Sequence, residues 1–150
     1  MVLFFRLPLF EQVLSVIQGT EFHRLSDSVG IIKLFEYNLG LLTDAQKQPL
    51  FTTLSESIPE LLDSISAFLA VELIAEIWRD NRSLEALLHL TRGASENTLA
   101  LAVHGLDWLA KKTEQADIRT RCLDELWRLS KHPSSLVQTE AITALNRRMA

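Results

Sequence analysis

The sequence predicts an all-α protein built from antiparallel helical hairpins stacked on one another. Three observations carry that prediction. Every periodic segment repeats its apolar residues at intervals of three and four, the spacing of one helix face, and none alternates as a strand would. Capping residues such as Thr43 and Ser95 stand just ahead of those segments. The C-terminal part also repeats one apolar code in steps of 19 residues, with Leu99 and Val103, Ile118 and Cys122, and Val137 and Ala141 in corresponding places. Small residues one turn after a branched aliphatic, as Cys122 and Ala141 are, let a neighbouring helix seat its ridge in the groove.

Pro8 opens a first helix, with Leu9, Val13, Val16 and Ile17 on one face and Gly19 near its end. A segment from Thr20 to Leu42 follows, carrying Leu25, Val29, Ile32, Leu34, Phe35 and Leu39 at helical spacing, as one helix or two. Thr43 and Asp44 read as an N-cap for the stripe Leu50, Phe51 and Leu54, which Pro49 must kink or delay. Ser57, Pro59 and Glu60 read as a second start, from which one long helix runs to Asp80. Ser83 then caps Leu84 to Thr91, with Gly93 as its stop, and Ser95 opens a helix to Lys112 that is apolar on more than one side and so is expected between neighbours. Two last helices flank Lys131 to Ser135.

A chain of 150 residues fits a single domain able to bury roughly 70% of its unfolded surface. Cys122 is the one cysteine, which excludes an internal disulfide and favours a reducing compartment. The apolar N-terminus is interrupted by Arg6 and Pro8 and does not read as a signal peptide. The most apolar stretch, Ile65 to Trp78, contains Glu72 and Glu76, so no membrane span is expected and the protein is expected to be cytoplasmic. Net charge is −4, and up to residue 75 four basic residues face nine acidic ones, a balance that argues against a nucleic-acid partner.

No catalytic constellation emerges from the residue pattern. The four histidines are scattered without metal-ligand spacing, no Gly-x-Ser-x-Gly or phosphate-binding glycine loop is present, and most serines sit where caps are needed. The chain is therefore read as non-enzymatic, with no metal and no cofactor. Glu72 and Glu76 read as the solvated edge of the long helix. Asp117 with Arg121 and Asp124 with Arg128, each four apart, read as surface ion pairs. Trp78, Trp108 and Trp127 follow apolar stripes, so most are expected in helix contacts, and an exposed one would mark a binding hot spot.

The run Val137-Gln-Thr-Glu-Ala-Ile-Thr-Ala-Leu145, behind a Pro-Ser-Ser turn, resembles the second helix of a HEAT repeat, and Asp117-Ile-Arg-Thr-Arg-Cys122 echoes the same motif. Gln138 stands where that family usually has a basic residue. The resemblance covers the last third of the chain. It implies a right-handed HEAT or armadillo-like α-solenoid that binds a protein along a helical surface, as an adaptor, a scaffold or a toxin-neutralising immunity protein. An irregular helical bundle is the alternative architecture, and a HEAT-like DNA-base glycosylase the alternative function. On the solenoid reading, the helices at Ser95–Lys112 and Ser134–Met149 line one surface, and His104, Asp107, Trp108, Lys111, Gln138, Glu140 and Arg148 are the expected partner-binding residues. Oligomeric state is left open.

Overall fold

The computed structural model describes residues 7–18, 28–61, 65–93 and 95–149, and every regular element among them is helical. In chain order these are α1 (Leu7–Gln18), α2 (Ser28–Tyr37), a 3₁₀ turn (Leu39–Leu41), α3 (Asp44–Leu61), α4 (Ile65–Trp78), α5 (Asn81–Leu90), α6 (Glu96–Lys112), α7 (Ala116–Leu129) and α8 (Ser135–Met149). The start expected at Thr20, together with Leu25, lies outside the described residues.

Local chemistry explains where most helices begin. Thr43 caps α3 reciprocally: its hydroxyl accepts from the Gln46 amide at 3.2 Å, and Gln46 Oε1 accepts from the Thr43 amide at 3.0 Å. Ser95 caps α6 by accepting from the Thr98 amide. Ser83 does not start α5 as expected. Asp80 does, accepting from the Arg82 amide at 2.9 Å, while Ser83 is buried one turn on and donates to the Ile74 carbonyl at 2.6 Å. A carboxylate closer to the corner takes the cap, and the serine ties α5 to α4 instead.

The helix start expected at Ser57 also yields to a competing effect. α3 runs through both Pro49 and Pro59, although each lacks the N–H that would bond four residues back. Leu50, Leu54, Ile58 and Leu61 form one unbroken buried stripe along it, and that burial holds the helix together past the missing donors. Ser57 sits inside the helix and donates to the Thr53 carbonyl at 2.7 Å. Residues 59–61 consequently close α3 and residues 65–78 form α4, two helices packed on each other rather than one.

The even-numbered helices pack in succession, α2 on α4, α4 on α6 and α6 on α8. Of the odd-numbered ones, α3 packs on α1 and α4, α5 on α4 and α6, and α7 on α6 and α8. Each of the three repeated pairs noted in the sequence is buried: Leu99 and Val103, Ile118 and Cys122, Val137 and Ala141. α6 lies between α4, α5, α7 and α8, which is why it is apolar on several sides.

Gly105 permits a close approach of α6 to α5 and α4. A Cβ placed there would overlap Leu87 Cδ2 of α5 and stand 3.3 Å from Val71 Cβ of α4. Leu87 and Val71 are both fully buried, so neither has free space to retreat into. Gly30, in α2, has nothing within 4 Å of the equivalent position. Gly105→Val should therefore cost about 3 kcal/mol, lowering Tm by roughly 6–12 °C, whereas Gly30→Ala should gain about 0.5–1 kcal/mol from helix propensity. Thermal melts of the two variants check both signs, and equal effects would mean that α6 does not approach its neighbours this closely.

Candidate functional site

Successive residues of α6 are turned by about 100° around the helix, and this separates its polar side chains into three directions. Asp107 turns toward α8. Trp108 and Lys112 turn toward α4. His104 and Lys111 lie between, Lys111 exposed and His104 half-buried against α4.

On the α8 side, Asp107 is only 6% exposed. Its Oδ1 stands 2.9 Å from Arg148 Nε and its Oδ2 3.2 Å from an Arg147 guanidinium nitrogen. The Arg148 contact is close but off the N–H axis, so it is an ion pair rather than a directed hydrogen bond. Asp107 thus turns into the contact with α8 and Arg148 lies half-buried against it, which corrects their expected outward placement. An aspartate on an otherwise apolar helix side reaches the core boundary and is held there by two cations from the last turn of α8.

On the α4 side, Glu76 is 8% exposed, and its Oε1 accepts from Trp108 Nε1 at 2.9 Å with Lys112 Nζ 3.4 Å away. Glu72 Oε1 stands 3.5 Å from His104 Nε2, without the alignment of a hydrogen bond. Neither glutamate is the solvated edge that spacing alone suggests. α4 is buried on several sides, so its carboxylates must find partners. The ring of His104 meets Phe68 edge-on at 5.4 Å and lies 6.1 Å from Trp108, over which Lys111 Nζ sits at 4.9 Å. Phe68 and Glu72 of α4 and His104 and Lys111 of α6 therefore form one continuous aromatic and charged ridge. The contacts Phe68 with His104 and Glu76 with Lys112 advance together along both chains, so α4 and α6 run parallel.

Comparison of the chain with protein-family models, with curated proteins and with solved structures finds no match. The geometry is thus the evidence on which function must be argued. Of the seven expected partner-binding residues, it brings His104, Trp108 and Lys111 together. Gln138 and Glu140 are both exposed on α8, but residues two positions apart on a helix point about 200° apart, so they do not share one face. Phe68, Glu36 and Lys112 were not among the expected residues. The available signal was the scarcity of charge in α4, since a carboxylate in a helix buried nearly all round implies a partner on the next helix.

The late arginines serve contacts between and within helices. Arg121 reaches α5, donating to Asn81 Oδ1 at 2.8 Å and to Glu85 Oε1 at 3.1 Å, instead of pairing with Asp117. Arg128 pairs with Glu125, not with Asp124. Trp127 is the exposed tryptophan, at 56%, with Lys131 Nζ 5.1 Å from its ring centre. Burial pushes the Cys122 thiol up to about 12, against a smaller opposing effect of Arg121, so this cysteine is no nucleophile at neutral pH. Among the described residues no group of three or more His, Cys, Asp and Glu side chains is placed to hold a metal, and no helix is long and apolar enough to cross a membrane.

Glu36 of α2 completes the α4 cluster. Partial burial, then the nearby charges of Glu76 and Glu72, push its carboxyl above the usual range, with Lys33 and Lys112 opposing. Its Oε2 is buried without a hydrogen-bond partner. A carboxyl whose pKa is raised by folding binds more protons folded than unfolded, so it favours the folded state at low pH, and stability falls as pH rises through the raised value. Glu36→Gln should accordingly raise Tm at pH 7, with the gain shrinking to nothing as the pH is lowered below the ordinary carboxylate range. Paired melts across pH 4–8 measure this, and a gain independent of pH would exclude charge as its cause.

Proposed function

We propose that the chain is a non-enzymatic HEAT-like solenoid module whose exposed even-helix ridge binds a protein partner, in an adaptor, scaffold or toxin-neutralising role. The observation that supports this most is the packing order: α2, α4, α6 and α8 follow one another side by side while α5 and α7 each bridge two of them. That is the way consecutive hairpins stack in helical-repeat proteins, which use such surfaces for partners.

The contact surface we propose keeps His104, Trp108 and Lys111 from the sequence reading and adds Phe68, 47% exposed. A half-exposed aromatic braced by other rings supplies buried area at small entropic cost, and the flanking Glu72 and Lys111 set orientation and encounter rate. The carboxylates of Glu36, Glu72 and Glu76 beside this ridge would repel a phosphate backbone, which weighs against the nucleic-acid alternative.

The test begins with cross-linking in the cell of origin and identification of the captured protein. Against that purified partner, Phe68→Ala should weaken binding by roughly 10–100-fold and Lys111→Glu should slow association, with Tm unchanged. Trp127→Ala, remote in sequence from the ridge, is the control and should leave affinity intact. If Trp127→Ala weakens binding and Phe68→Ala does not, the interface lies on α7. Salt-sensitive binding to duplex DNA would revive the alternative.

A further inference from the structure

On the side of α4 turned away from the ridge, α3 and α5 each pack on α4 but stand apart from one another, and a groove is left between them. Ile74, at its base, is two residues from both Glu72 and Glu76, so it points to the opposite side of α4 from them. The groove holds a cavity of about 540 Å³, well within the range of small-molecule sites, roughly 300–1,000 Å³. Trp78 marks one end, where Phe51 of α3 meets its ring edge-on at 6.4 Å and the Arg82 guanidinium of α5 lies 3.7 Å over it. Glu56 and His89, further along the two walls, line the other end. The accessible floor is apolar: Phe51, Ala86 and Leu90 are half-buried there, above the fully buried Ile58 and Ile74.

Most polar groups on the walls are already engaged. Ser55 donates to the Phe51 carbonyl at 2.9 Å, and Gln48 Nε2 to Thr52 Oγ1 at 3.3 Å. Arg82 is held by the Asp80 carboxylate, and Glu85 accepts from Arg121 at 3.1 Å. Glu56 differs: it is exposed, and among the described residues its carboxylate has no hydrogen bond or ion pair. The exposed His89 imidazole on the other wall is equally uncommitted. An apolar floor with one uncompensated negative charge at its rim has as its complement an apolar body carrying one positive charge. We propose that this groove binds a small monoamine with an apolar tail, the tail lying over Phe51, Ala86 and Leu90 and the ammonium donating to Glu56, with His89 as a second acceptor. Phe51 and Glu56 are separated by about 7.5 Å along α3, which sets the length of the tail. The site lies across α4 from the ridge and does not depend on the protein-binding reading.

Four probes separate the contributions: hexylamine, its neutral counterpart hexanol, the anion hexanoate, and methylamine, which has the charge without the tail. Amide NMR titrations of the full chain at low ionic strength, where an exposed charge is least screened, should show saturable shifts at residues 51–56 and 86–90. Hexylamine should bind at least about tenfold tighter than methylamine. It should bind about two- to fivefold tighter than hexanol, the range of one exposed ion pair, and hexanoate should bind more weakly than hexanol. Glu56→Gln should abolish the preference for hexylamine over hexanol while leaving hexanol binding unchanged, a ratio that general loss of structure would not produce. Glu140→Gln, which removes an exposed carboxylate on α8, should keep the preference. The inference is overturned if no probe saturates, if the shifts lie elsewhere, if hexanol, hexanoate or methylamine binds as tightly as hexylamine, or if the preference survives Glu56→Gln. Loss of the preference in Glu140→Gln would overturn it too, by tracing the attraction to the net charge of −4.

Discussion

The close passage of α6 between α4 and α5 at Gly105 is the constraint on which the rest of the structure depends. A residue without a Cβ lets Leu87 and Val71 enter the groove of α6, and Ala102 and Ala110, also buried, keep other parts of its surface shallow. With its backbone drawn in, α6 meets four helices at once. Five residues turn a helix by about 140°, so Asp107 answers to α8 while Lys112 answers to α4.

Specific polar contacts at several helix joints act as markers of register over this apolar packing. Trp108 and Lys112 hold Glu76 between α4 and α6, Arg121 holds Glu85 between α5 and α7, and Arg147 with Arg148 hold Asp107 between α6 and α8. Buried or half-buried charge adds little net stability when replaced by good apolar packing, but a wrong partner leaves it unpaired at high cost. A slip of one turn along any of these joints would separate charges that the observed register joins.

This division explains what could be read from the sequence. Helical periodicity is local, so all-helical architecture, the capping of α3 and α6 and the burial of Ile118, Cys122, Val137 and Ala141 were legible from spacing alone. The partners of charged groups are not local: Glu76 and Trp108 are separated by 32 residues, and Glu85 and Arg121 by 36. From spacing, Glu72 and Glu76 read as solvated, Asp107 as exposed and Arg121 as paired within its own helix, because only the fold supplies the alternative neighbour. The prolines of α3 misled for a related reason, since the penalty of a missing N–H is visible in the sequence while the buried stripe that outweighs it is a tertiary quantity. Of the ridge, His104, Trp108 and Lys111 could be found as one sector of α6, but Phe68 could not be added until α4 was known to lie beside it.

The corner after α4 has a mechanical consequence. Arg79 adopts a left-handed backbone, φ 56°, and its carbonyl accepts from Thr113 Oγ1 at 2.8 Å. Arg119 in turn donates to the carbonyls of Ala110 and Thr113 at 3.2 and 2.8 Å. The bend that ends α4 is thereby stitched to the bend that ends α6, and the latter to the first turn of α7. Load drawn through the C-terminus would reach the middle of the molecule along these stitches, so adjoining hairpins would yield as a block instead of unzipping singly.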